Sequence, residues 1–433
     1  MKTKIGLSSA TALVISAMVG TGVYTSLGFQ VLGVQSIIAL LLLWLIGGLV
    51  ALCGSLVYGE IGSVLQGSGG EYNYLSKLYH PIVGFMSGFV SATVGFAAPV
   101  ALSSMAFGRY ICTFFPELSS LWIATTLIII VSIVQLTGIK PGAVFQKYCT
   151  IINLCLILTF VVFGLISGPS LSFDHTFGLG NIDQVFTSSF AISLVYVSYS
   201  YSGWNSSAYI AGEIDNPQRN LPLSLFGGTA VVTLLYLVLN FIFLYNVPIQ
   251  DLAGKVEVGY VAAQTIFGLK GGSIVSALIA LGLLASVNAM SMVGPRLTKA
   301  IAEDFTTFKI FTKENKSGNP YVSQLMLTVI ALTMVHTSTF ENVLTYIGFT
   351  LSLFTGLVVA GIFILRKRFS DHTGFRTWFY PITPLFFLFV DGWMILYVFK
   401  ENMVQSLAGL LTAGLGAVVY LINYKYKTNR INI

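Results

Sequence analysis

Charge is what this chain has least of. Of its 433 residues only 9% are Asp, Glu, Lys or Arg and 55% are hydrophobic, with a mean hydropathy of +0.84. A water-soluble surface cannot be built from that composition. Cysteine is nearly as scarce. Cys53, Cys112, Cys149 and Cys155 form no CxxC pair and mostly fall in apolar stretches, which excludes a disulfide framework and a thiolate metal site. The four histidines, His80, His175, His336 and His372, stand in or near loops at unrelated positions and make no metal set. No GxxxxGK[ST] run exists, so ATP does not drive this protein through a P-loop. The longest connection facing water, Phe305 to Tyr321, is too short for a soluble catalytic domain. An intramembrane enzyme would need His, Asp or Glu converging at membrane depth, and these are missing. No cofactor is called for.

What the chain has is about twelve apolar stretches long enough to cross a hydrocarbon core of about 30 Å. They lie near 9–31, 35–60, 82–108, 119–139, 147–167, 186–210, 222–246, 271–300, 321–338, 342–365, 379–399 and 404–424. With the N-terminus inside, all 22 Lys and Arg residues face inward except Arg109, Lys255, Lys270 and Lys400. One span too many or too few would scramble that alternation, so the positive-inside rule supports both the count and cytoplasmic termini. The net charge of +6 is thereby explained by topology and asks for no nucleic acid. The first span is too long for a signal peptide and stays in the membrane. Gly259 to Phe267, too short to cross, reads as a helix lying on the outer face.

Two spans are poor helices at mid-depth. Val19-Gly20-Thr21-Gly22-Val23 puts two glycines around a hydroxyl in the first, and Tyr199-Ser200-Tyr201-Ser202-Gly203-Trp204-Asn205-Ser206-Ser207 puts a polar run inside the sixth. Small residues also serve close helix packing. Yet bare N–H and C=O groups in hydrocarbon cost several kcal/mol each, so unwound segments at both places would have to line a cavity or bind something. The first and sixth spans are corresponding members of two five-span halves, and an odd number of crossings inverts one half relative to the other. Free N–H groups at the outer half of the first span suit a carboxylate. Free carbonyls at Ser200 and Ser202 suit an ammonium, and a solute carrying both groups is an α-amino acid.

At these residues the chain resembles the amino acid-polyamine-organocation superfamily. Further segments agree in order: Tyr58-Gly59-Glu60-Ile61-Gly62 with Ser68-Gly69-Gly70-Glu71-Tyr72-Asn73-Tyr74, the stretch from Ala211 to Pro222, and Gly294-Pro295-Arg296-Leu297 with Ala300 to Asp304. The resemblance implies an all-α polytopic membrane protein of the LeuT type. It would have two inverted five-helix repeats, residues 1–170 and 171–370, with two further helices and a cytoplasmic tail in 371–433. It implies that Gly20, Thr21 and Gly22 hold the substrate carboxylate with Met18 beside the pocket, and that backbone at Tyr199, Ser200, Ser202 and Gly203 meets the amino group. Tyr199 falls where relatives close an aromatic over the substrate, and Trp204 follows the break. Many sodium-independent relatives carry a lysine in the fifth span, where this chain has Asn153. An amide releases no proton and carries no charge, so a lysine-based mechanism is in doubt.

The expectation is a permease or exchanger moving amino acids by alternating access in a membrane, with lipid as its other partner. No Asp or Glu stands in either polar segment, which favours a neutral substrate. A cationic amino acid or polyamine transporter of the same fold is the alternative, since carbonyls and aromatics hold cations too. A major-facilitator transporter is the rival from another class. It predicts a long link after the sixth span, whereas here the longest inner loop follows the eighth. The absence of long extensions suggests a bacterial inner membrane. Glu60, with Arg219, Arg296 and Glu213, is expected at an inner gate or among solvated loop charges. Asp391 reads as structural, and Arg366-Lys367-Arg368 as a topology anchor.

Overall fold

Inside hydrocarbon a chain satisfies its own N–H and C=O groups by coiling or by closing a barrel, and the described apolar spans of this sequence coil. The computed structural model describes residues 4–65, 67–137, 143–169, 179–303, 305–370 and 372–431. Lys2, Lys140, His175 and Asp304, the boundary at 170 and 171, and the side chains of Lys147, Lys425, Lys427 and Arg430 lie outside the described residues.

The first span is three pieces, α1 (Leu7–Met18), α2 (Thr21–Thr25) and α3 (Leu27–Gly33). The second is the unbroken α4 (Ile37–Leu65), followed by the short helix α5 (Gly70–Leu78). The third comprises α6 (Pro81–Val90) and α7 (Ala97–Cys112), joined by a π-turn at Ser91–Gly95. Fourth and fifth are α8 (Ser120–Thr137) and α9 (Ala143–Ser167). The sixth is again in pieces, α10 (Ser188–Ser200) and α11 (Ser206–Tyr209). Then come α12 (Pro217–Asn246), the outer turn α13 (Ile249–Leu252) and α14 (Val258–Glu303). Last are α15 (Tyr321–Thr337), α16 (Phe340–Arg368), α17 (Ile382–Glu401) and α18 (Met403–Ile431). Ten of these segments are long and apolar enough to cross a bilayer, and Tyr321–Thr337 is a shorter apolar helix. Gly268, at φ 72° and ψ 179°, breaks α14 and sets off the expected outer piece from the eighth span.

Lipid tails are as apolar as leucine, so close packing and polar contacts, rather than the hydrophobic effect, hold such helices together. The inner faces show both. Trp44 of α4, fully buried, sits edge-on to Tyr236 of α12 and donates from Nε1 to Gln30 of α3 at 3.0 Å. Facing outward, Ile166, Phe389, Leu396, Val404 and Leu411 are exposed, as lipid-facing residues should be. Among the described residues the only non-helical pairings are isolated bridges, one of which joins Ile5 to Ile214.

Candidate functional site

The first span loses its coil where glycine makes that cheap. Helix α1 ends at Met18, Gly20 is neither helical nor capped by a side chain, and α2 starts afresh at Thr21. The Met18 carbonyl released by this break accepts from the Tyr236 hydroxyl at 2.7 Å. Thr21 Oγ1 pairs with Ser103 of the third span at 2.5 Å, and Ser103 reaches Ser286 of the eighth at 3.3 Å.

Helix α10 ends at Ser200, and residues Tyr201 to Asn205 turn before α11. Among the described residues no donor reaches the carbonyls of Ser200, Tyr201 or Ser202. Gly203 has φ +100°, and a Cβ there would stand 2.7 Å from the Ala17 carbonyl, so both its conformation and the approach of α1 demand glycine.

The two breaks meet. A Cβ on Gly22 would be 2.6 Å from the Ser200 Cα, and Ser26 Oγ lies 3.0 Å from Ser200 Oγ. Gly20, Ser202 and Gly203 are partly exposed while Val19, Thr21, Tyr201 and Trp204 beside them are buried, so the two glycines leave backbone accessible at the breaks. Met18, Gly20, Thr21, Gly22, Tyr199, Ser200, Ser202 and Gly203 thus belong to the two breaks or the helix turns that flank them. Tyr199 is buried in the last turn of α10. Trp204 sets its ring edge against Tyr58 at 4.7 Å between centroids, over Gly54, which makes it the floor of the sixth-span break against the second span.

Asn153 lies behind the outer half of the first span. Its backbone carbonyl accepts from Tyr24 at 3.4 Å, its side chain abuts Gly282 of the eighth span, and its buried Oδ1 has no protein donor among the described residues.

Glu60 stands near the end of α4, as expected, but it is not a solvated loop charge and it pairs with none of Arg219, Arg296 and Glu213 among the described residues. Instead it is fully buried and held in a fork by Arg366 of α16, both contacts at 2.8 Å, with Thr377 N at 2.6 Å and His372 Nε2 at 3.3 Å. Arg366 also lies 3.7 Å over the Tyr380 ring. So Arg366 is the partner of a buried carboxylate rather than only a topology anchor, because a charge taken out of water keeps its ionisation by finding a close opposite charge. Asp391 is buried in α17 and faces Gly356 of α16.

Several polar residues at the breaks were not singled out by sequence. Ser26, Gln30, Ser103 and Tyr236 all reach the broken segments or hold those that do. Gln30 carried a signal, being an amide in an apolar run. The serines and the tyrosine, common in membrane helices, did not. A surface cleft of about 390 Å³, lined by Asp251, Lys255, Glu257, Tyr260 and Gln264, opens beside the outer turn and contains no residue of either break.

Two discontinuous spans touching inside a multi-pass helical bundle, with backbone dipoles at their breaks, are the arrangement of a membrane transporter. Residues 5–413 match the amino acid permease family, and the chain belongs to it, within the amino acid-polyamine-organocation superfamily. It is similar to the serine/threonine exchanger SteT of Bacillus subtilis (strain 168), 28% identical over 393 residues that cover 89% of this chain and 88% of that protein. It is also similar to the human cystine/glutamate transporter, 24% identical over 97% of this chain and 84% of that one. The human b(0,+)-type amino acid transporter 1 is 24% identical over 84% and 76%. Amino acid transport is the activity these relations support.

Proposed function

We propose that this protein exchanges or carries neutral amino acids across a bacterial inner membrane by alternating access, with both termini in the cytoplasm. The observation that carries the reading is the contact of the two breaks, Gly22 on Ser200 and Gly203 on Ala17. The substrate carboxylate sits on the N–H groups of Gly20, Thr21 and Gly22. Its ammonium sits on the carbonyls about Ser200 and Ser202, with Met18 and Trp204 at the sides and Tyr199 closing from outside. Residues 1–170 and 171–370 are the inverted repeats, and 371–433 the appended pair and tail. Neutral cargo follows from the lack of Asp and Glu in both breaks. Asn153 supplies neither proton nor fixed charge, which favours exchange over proton coupling through the fifth span. That one relative is named an exchanger of serine and threonine is consistent with this reading.

The test is uptake into proteoliposomes with a panel of radiolabelled amino acids, with and without internal substrate, a pH gradient or sodium. Exchange of neutral amino acids independent of both gradients is expected. Preferred uptake of arginine, lysine or a polyamine would replace the neutral reading with a cationic one. Thr21→Leu and Ser202→Pro should each abolish binding while leaving membrane insertion intact, and unchanged uptake by both would overturn the site.

A further inference from the structure

Below the sixth-span break, on the face that carries both termini, one carboxylate gathers donors from several elements. Glu71 in the first turn of α5 is only 4% exposed. Its Oε1 accepts from the Tyr58 hydroxyl of the second span at 2.8 Å, from Asn205 Nδ2 at the end of the sixth-span break at 3.1 Å, and from Thr355 Oγ1 of the tenth span at 3.3 Å. Ser87 of the third span donates as well. Among the described residues Glu71 forms no ion pair, and burial pushes its carboxyl above the usual carboxylate range against the pull of those donors.

The strap beside it is continuous. Gly69 N donates to the Tyr209 carbonyl at 3.1 Å and Gly212 N to Ser68 Oγ at 3.3 Å. Gly70, at φ +52°, would drive a Cβ into the Tyr209 ring, so the Gly-Gly turn exists to let α5 seat against α11. A buried acceptor with this many neutral donors from different helices is a joint: it is satisfied only while the second, sixth and tenth spans keep one relative position.

Resting on the alternating-access reading, we propose that Glu71 is a positioning residue that latches the α11 half of the sixth span to the second and tenth spans. Substrate then passes to the terminal face only when Asn205 and Glu71 part. The latch differs from ordinary core packing in what its loss does. It exposes the inner end of the break without unfolding the bundle.

Side-specific thiol labelling reads this directly. With the four native cysteines replaced by alanine, Ser206→Cys is placed next to Asn205, where the native hydroxyl is buried. Inverted and right-side-out membrane vesicles are treated with an impermeant maleimide. Glu71→Ala should raise labelling from the terminal face roughly tenfold, the shift that loss of one hydrogen bond to a charged acceptor gives. Asn205→Ala, which removes the same bond from its donor side, moves it the same way by a similar factor and covers the case in which Glu71→Ala does not fold. Glu71→Gln keeps an acceptor for Tyr58, Asn205 and Thr355 and should label like the parent. Labelling within twofold of the parent in every folded variant, or Glu71→Gln as open as Glu71→Ala, overturns the latch. A parent that exchanges no amino acid defeats the functional reading instead, and the labelling still reports on the latch.

Discussion

A buried charge and its partner cannot be treated separately. Glu60 has no contact with water, and Arg366 with Thr377 and His372 provides what water would have given it. Arg366→Met therefore leaves an uncompensated carboxylate and should cost about 3–5 kcal/mol. Adding Glu60→Gln to it removes the charge and should recover most of that loss. Thermal unfolding of the purified protein in detergent checks both; a double variant as unstable as the single one would mean that the pair is not what holds α16 to α4. At this scale the sequence was half legible. Glycine and hydroxyl residues at the breaks stand out as wrong for lipid, so the two interrupted segments were legible from residue type, while the roles given to single residues in them came from the family resemblance. Glu60 was noticed, but neither reading of it, an ion pair with Arg219 and Arg296 or a solvated loop charge, included its burial against Arg366. Its true partner stands 306 residues away, and only the packing of α4 on α16 brings the two together.

Elements carry the asymmetry between the two faces. On the side away from the termini, the turn α13 and the link that follows it rest on α3: Gly254 N donates to the Gly28 carbonyl at 2.8 Å, and Gly28 has no room for a side chain before the Lys255 carbonyl. Gly28→Val should lift that outer piece at a cost of about 1–3 kcal/mol. In a background free of native cysteines, Ser26→Cys should then label faster from the outer face. No change in rate would show that the outer helix is not what covers the first span. The outer helix itself was readable from its length and flanking lysines, and Gly268 explains why it bends away from the eighth span. The threefold division of the first span and the π-turn in the third were not readable, because a π-turn answers to what packs on it rather than to its own residues.

For the whole molecule, the distribution of Lys and Arg carries a prediction about sidedness. Epitope tags at both ends should be digested by protease added to inverted vesicles and spared in right-side-out ones. One protected end in inverted vesicles would undo the even number of crossings and, with it, the assignment of Glu71 to the cytoplasmic side. The class of fold was legible from hydropathy alone, since twelve apolar stretches in alternating charge leave few alternatives. The meeting of the two breaks was legible only through the expectation that the first and sixth spans correspond, and the polar ties that hold them, Tyr236 on Met18 and Ser103 on Thr21, are products of the folded bundle.

The start of the chain is stitched to the segment that follows α11. Ile5 N bonds the Glu213 carbonyl and Asp215 N bonds the Ile5 carbonyl, each at 2.9 Å. Whatever is fused close ahead of Ile5 is thereby harnessed to the segment that follows the sixth-span break, and its bulk bears on one of the two interrupted spans. A purification handle or fluorescent reporter fused after α18 avoids that stitch.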